Sequence, residues 1–256
     1  MTGDEAEALA LQFLRAFGYE VTRIAEEPGE RRADFLAIKT GETILVEVKG
    51  KSEDERYRRI LLETGEASKL KTMGRTNPIS GQIREAITQL RATPLQGDPF
   101  RLLILVTPSD DPDVSASQYK STLYGIVDIV TPSDDGSAVA HPCFYFTFSE
   151  FYDAPDIDGA VVIVDQGSRL LVNGFSSRLA RFRQTFLYRG HDRSNALDDP
   201  VTMESGGKAF IADGPLPRNR PGDVLAYIKT KYRLSVAHNV VFQEHTATVS
   251  YPTPRQ

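Results

Sequence analysis

A chain of 256 residues, 40% hydrophobic and 25% charged, has the composition of an ordinary globular protein, long enough for one large domain or two small ones. With a formal net charge of −5, attraction to any nucleic acid must come from local basic patches rather than from the field of the whole protein. A single cysteine, Cys143, excludes an internal disulfide framework or a multi-cysteine zinc site; it fits a reducing compartment and is expected to be a packed thiol. No apolar run approaches the roughly 20 residues of a membrane span, and the N-terminus is acidic, so neither a span nor a secretory signal is indicated and a cytoplasmic protein is expected.

In chain order, residues 4–17 read as an amphipathic helix, with Ala6, Ala10, Phe13, Leu14 and Phe17 at helical spacing and Gly18 placed to end it in a left-handed cap. Residues 19–24 form a short strand candidate. Residues 32–39 and 42–51, across Thr40 and Gly41, read as a β-hairpin. A charged, irregular segment runs on to Arg75. Asn77 is expected to cap a helix with Pro78 in its first turn and Ile79, Ile83, Ala86, Ile87 and Leu90 on one face. The run FRLLILV, residues 100–106, suits a central strand covered on both faces. Beyond it the signals weaken. VTPSDD closes two β-like runs, at 106–111 and 130–135, by similar turn chemistry. Further strands are expected over 123–130, 143–148, 159–164 and 170–172, and helices over 176–188 and 223–232. A domain boundary near Asp153 would separate a core, residues 1–152, from an α+β C-terminal region, residues 153–256.

The hairpin carries the chemistry. In ETILVEVKGK, residues 42–51, Glu47 and Lys49 fall on the face shared with Leu45. If Thr40 and Gly41 form a two-residue loop, Lys39 faces Glu42, Leu36 faces Leu45, and Asp34 faces Glu47. Directly opposed side chains in an antiparallel pair lie about 4.5–5.5 Å apart at Cβ, and like charges there repel, so a positive charge is expected between them. A competing register, with residues 39–41 as the loop, sets Asp34 opposite Val46 and buries its carboxylate without a partner. Thr resists the positive φ that two-residue turns favour, which counts against the first register. Carboxylate ligands of this kind suit Mg²⁺ or Mn²⁺. Lys49, about 7 Å further along the same face, is placed to offset charge on a phosphate oxygen. On a solvated edge strand the same letters would be an ordinary ion pair.

With an acid-bearing helix, GYEV, then ADFLAIKTGETILVEVKGK, then a helix, the chain resembles the PD-(D/E)XK nuclease superfamily over residues 1–105, and is most similar to its Mrr-like restriction endonuclease branch. The resemblance implies an α/β fold with a restriction-endonuclease-like core of order αβββαβ, a mixed central sheet flanked by helices. It implies that Asp34, Glu47 and the backbone carbonyl of Val48 hold Mg²⁺ (or Mn²⁺), and that Lys49 is the catalytic amine. Glu7, eleven residues before Gly18, would be an auxiliary ligand or water orienter; its alternative is a first-turn acid complementing the helix dipole. Gln82 would take the part of a glutamine found on the helix after the third strand. Ala33 stands where the superfamily's name pattern has Pro, and the insertion between Lys49 and Asn77 would be a substrate-contacting flap or lid. The implied activity is hydrolysis of DNA phosphodiester bonds, with RNA left open, in defence against or processing of foreign DNA, and a homodimer would suit two-fold substrates.

Outside the hairpin, residues 169–193 carry Arg169, Arg178, Arg181, Arg183, Arg189 and Arg193 against a single acid, Asp192. Arg178, Arg181 and Arg183 are candidates to track a nucleic-acid backbone, with Leu179, Phe182 and Phe186 on the core side of a helix. Arg56, Arg58, Arg59, Lys69, Lys71 and Arg75 form a second group, interleaved with acids as salt-bridged surfaces are. His141, His191, His238 and His245 do not pair at a metal-ligand spacing, and no Gly-rich phosphate loop is present. A non-catalytic nucleic-acid-binding module that keeps the nuclease fold is the alternative to an enzyme.

Overall fold

In the computed structural model, which describes residues 2–25, 27, 29, 31–50, 70–107, 112–133, 136–164, 167–240 and 247–248, the chain opens with α1 (Gly3–Ala16). Thr2 and Glu5 start this helix as a reciprocal capping box, each side chain bonded to the other's backbone N–H. Gly18 ends it at φ +80°, and its N–H donates to the Arg15 carbonyl. Three antiparallel strands follow, β1 (Glu20–Arg23), β2 (Phe35–Lys39) and β3 (Glu42–Gly50). The two-residue register holds: Lys39 pairs with Glu42, Ile38 with Thr43 and Leu36 with Leu45. Gly41 takes the positive φ, +77°, and Thr40 does not need to.

After the short β4 (Leu70–Lys71) comes α2 (Asn77–Ala92). Its N-cap is Thr76 rather than Asn77, because the Asn77 side-chain oxygen accepts from Arg75 instead. β5 (Phe100–Val106) is the covered strand expected, with Leu102, Leu103, Ile104 and Leu105 all buried. α3 (Pro112–Tyr124) was not foreseeable from apolar spacing, since its buried face includes Ser115, Gln118 and Thr122. The strand expected from residue 123 therefore begins later, as β6 (Val127–Pro132), and pairs with β7 (Ala138–Phe144). β7 stops where Tyr145 turns to φ +61°, so the strand expected over 143–148 is displaced toward the N-terminus. β8 (Gly159–Val164) and β9 (Gly167–Val172) form a hairpin. The single helix expected over 176–188 is two, α4 (Leu179–Phe182) and α5 (Phe186–Arg193), because the Thr185 hydroxyl accepts the Tyr188 N–H and restarts the helix. The chain continues through β10 (Leu197–Asp198), α6 (Pro200–Ser205), β11 (Phe210–Ile211), α7 (Pro221–Lys231), β12 (His238–Val240) and β13 (Ala247–Thr248).

The architecture is α/β. A seven-stranded mixed sheet has the order β1-β2-β3-β5-β8-β9-β10, with β3, β5 and β8 parallel at its centre. On one face, Ala6, Ala10 and Leu14 of α1 pack against Ile44, Val46 and Val48 of β3 and against Leu102 and Ile104 of β5. On the other, Ile79, Ile83, Ala86 and Leu90 of α2 pack against Leu45, Leu103 and Leu105. A four-stranded sheet, β11-β7-β6-β12, shares a smaller core with Val224 and Ile228 of α7, in which Cys143 is a buried free thiol. Among the described residues no helix is long and apolar enough to cross a membrane.

The boundary expected near Asp153 falls within the large sheet, since β8, β9 and β10 lie beyond it and β8 pairs directly with β5. Asp158, fully buried, ties the two parts together. Its carboxylate accepts from the Arg101 backbone N–H at 2.8 Å, the Ser176 hydroxyl at 2.5 Å and the Arg178 guanidinium at 2.8 Å. Replacing Asp158 by Ala strands a mostly buried guanidinium and is expected to cost about 3–5 kcal/mol. Arg181→Ala, at an exposed pair, should cost less than about 1 kcal/mol. Urea denaturation of both variants checks this; a fragment of residues 1–152 that unfolds cooperatively on its own would contradict the shared sheet.

Candidate active site

The site forms where β2 departs from its regular ladder. The Asp34 N–H donates to the Val46 carbonyl at 3.1 Å although Phe35 is the ladder partner of Val46, so two residues of one strand oppose one of the other, as at a β-bulge. The expected direct facing of Asp34 and Glu47 is thus replaced by a bulged one. Ala33 packs on the α2 side of the sheet and Phe35 on the α1 side, and the carboxylate of Asp34 between them accepts the Val48 N–H at 2.7 Å. An extended residue points its N–H and C=O to the same edge, so the Val48 carbonyl also faces the β2 side.

Glu47 alternates with Val46 and Val48 and therefore turns toward α2. It is only 1% exposed, and among the described residues its Oε2 has no hydrogen-bond partner. Lys49 Nζ forms an ion pair with Glu47 Oε1 at 2.7 Å. The same ammonium also donates to Gln89 Oε1 on α2, at 2.8 Å. Burial, reinforced by the neighbouring Asp34 carboxylate, pushes the Glu47 carboxyl up to about 8, with Lys49 opposing. Asp34 is also raised, by burial first, against the Val48 N–H and the Lys49 charge that lower it. The mutual influence establishes that the two acids are neighbours.

A buried acid with an unpartnered oxygen beside a half-buried one fits a hard divalent cation, which commonly takes one or two carboxylates. Asp34, Glu47 and the Val48 carbonyl would hold it. Among the described residues no group of three or more His, Cys, Asp or Glu side chains is arranged around a metal position.

The other candidates are distributed differently. Glu7 pairs with Arg23 at 2.6 Å beside Val21 and Phe35, on the α1 side of the sheet, across from Glu47. Arg23 also lowers Asp34 through its charge, so any influence of Glu7 on the site passes beside that guanidinium. Gln82 donates to the Gly50 carbonyl at 3.1 Å, at the end of β3. Arg178, Arg181 and Arg183 are committed to acids of the protein itself: Arg178 to Asp158 and Asp98, Arg181 to Asp98, and Arg183 to Asp199 in a two-pronged contact at 2.8 and 2.9 Å. The three arginines expected to track a nucleic-acid backbone are therefore each paired with an acid of the chain. Residues 51–69, with Arg56, Arg58, Arg59, Lys69 and most of the expected flap, lie outside the described residues, and Arg75 bonds to Ser80 and Glu150. Gln89 was not singled out by sequence; it sits seven residues after Gln82, hence on the same stripe of α2, and that spacing was the available signal.

Comparison with protein-family models, with curated proteins and with solved structures finds no match to this chain.

The perturbed acid has a consequence for stability. Because the folded chain favours neutral Glu47, this group's contribution is fully present below the ordinary glutamate value of 4.5 and is lost as pH rises through about 8. In the presence of a chelator, thermal stability should fall across that window by an amount on the order of a few kcal/mol, and Glu47→Gln should remove most of the fall. Thermal unfolding followed by circular dichroism against pH checks this; parallel profiles for the two proteins would contradict it.

Proposed function

We propose that the chain is a divalent-cation-dependent hydrolase of DNA phosphodiester bonds, built on a restriction-endonuclease-like core. The observation that carries the reading is Glu47, a buried acid neighbouring Asp34, with Oε1 paired to the Lys49 amine and Oε2 without a hydrogen-bond partner among the described residues. The order α1-β1-β2-β3-α2-β5 supports it, interrupted only by the short β4 between β3 and α2. So does the parallel centre of the sheet, since β3 delivers Glu47 and Lys49 near its C-terminal end, where ligands of open α/β sheets gather.

Each residue has a part that its contacts suit. The Val48 N–H holds the Asp34 carboxylate in one orientation. Glu47 supplies oxygens whose repulsion with Asp34 a bound cation relieves. Lys49 brings a positive charge to the same face, where it would stabilise negative charge building on a phosphate oxygen. When bound, Mg²⁺ or Mn²⁺ supplies Lewis acidity toward the phosphate and lowers the proton affinity of water.

Incubation of supercoiled plasmid with Mg²⁺ or Mn²⁺ tests the proposal. The native protein is expected to nick or linearise the plasmid, Lys49→Ala and Glu47→Gln to slow this by about 100-fold or more, and Arg181→Ala to leave it unchanged. Equal rates in all four proteins would move the chemistry elsewhere, and a native protein that binds DNA without cutting it would favour a non-catalytic module.

A further inference from the structure

We infer that Gln89 is a positioning residue of this site: its side-chain amide sets where the Lys49 ammonium stands relative to Glu47 and Asp34. The role of the amine in hydrolysis rests on the reading above, whereas its placement rests on geometry alone.

A lysine has a long, freely rotating stem, and beside a buried carboxylate its ammonium would by default centre on that acid. Here it is shared. Nζ lies 2.7 Å from Glu47 Oε1 and also donates to Gln89 Oε1 at 2.8 Å, so the ammonium stands between the acid and the amide. The orientation of the Gln89 amide follows from its other end. Its NH₂ group can only donate, and it reaches the Arg32 carbonyl at 3.4 Å, so the oxygen must face Lys49; the flipped amide would set donors against an ammonium.

The same stretch of helix holds the strand that carries Asp34. Thr93, one turn beyond Gln89, accepts the Ala33 N–H at 2.7 Å while donating to the Gln89 carbonyl at 2.8 Å. The last turns of α2 therefore grip residues 32–33 by the backbone and Lys49 by its amine, fixing the amine relative to Asp34 through one rigid element. A neutral amide suits the task because it accepts from Lys49 without adding a third negative charge to two acids already in repulsion. Sharing the ammonium keeps a positive charge beside Oε1 while Oε2 of Glu47 is left open toward a cation.

Two variants and two readouts test this. Gln89→Met keeps the length but removes the acceptor, and Gln89→Glu keeps the acceptor. In cation-free protein, the ¹⁵N–¹H signal of the Lys49 ammonium should shift or broaden away in Gln89→Met and persist in Gln89→Glu, with circular dichroism unchanged. With Mg²⁺ and duplex DNA, Gln89→Met should lower kcat by about 10- to 100-fold with KM little changed. An ammonium signal in Gln89→Met identical to that of the native protein would overturn the placement. A displaced signal with native kcat would overturn the positioning role. If the native protein cleaves no DNA, the hydrolase reading falls, and the ammonium signal alone decides where Gln89 puts Lys49.

Discussion

A carboxylic acid taken out of water with no hydrogen bond to its oxygens is among the costliest groups a protein can fold around. Glu47 comes close to such a group, with one oxygen paired to Lys49 and the other without a partner among the described residues. The parallel pairing of β3 with β5 brings it into the interior, α2 covers it, and the bulge at Asp34 adds a second acid instead of a donor. Lys49 offsets the charge in part, its ammonium being shared between Glu47 and Gln89. A purely structural acid would be satisfied, as Asp158 is, by a backbone N–H, a hydroxyl and a guanidinium. The contrast between these two buried acids in one sheet is the physical basis for assigning ligand binding to one and stability to the other.

The arginine-rich stretch illustrates the opposite outcome. Read along the chain, Arg178, Arg181 and Arg183 have almost no acids for neighbours, and a free basic surface follows. In three dimensions Asp98, Asp158 and Asp199 arrive from distant segments and each takes one or more guanidinium groups. Arg178 and Arg181 brace the segments entering β5 and β8, and Arg183 the loop before α6.

How much was legible in the sequence depended on whether the determinant was local. The α1 helix, its glycine stop, the hairpin register and the covered strand β5 all follow from spacing and turn chemistry within a few residues, and they are present. What was missed has non-local or polar causes. α3 buries Ser115, Gln118 and Thr122 and so lacks an apolar period, and the break before α5 depends on one hydroxyl at Thr185. The bulge at Asp34 is held by Thr93 and Gln89, more than fifty residues away, which no local pattern reports. Asp34, Glu47 and Lys49 could be named from the hairpin alone, while Gln89 lies on α2 and had only its spacing from Gln82 to mark it.

The most direct test of the central claim is calorimetric titration of the protein with Mn²⁺ near neutral pH, repeated in buffers of different ionisation heat. If Glu47 carries a proton until a cation displaces it, native protein will bind Mn²⁺ with release of up to about one proton, and Glu47→Gln will lose both the affinity and the proton release. Binding that is unaltered by the substitution, or the absence of binding by native protein, would contradict the account.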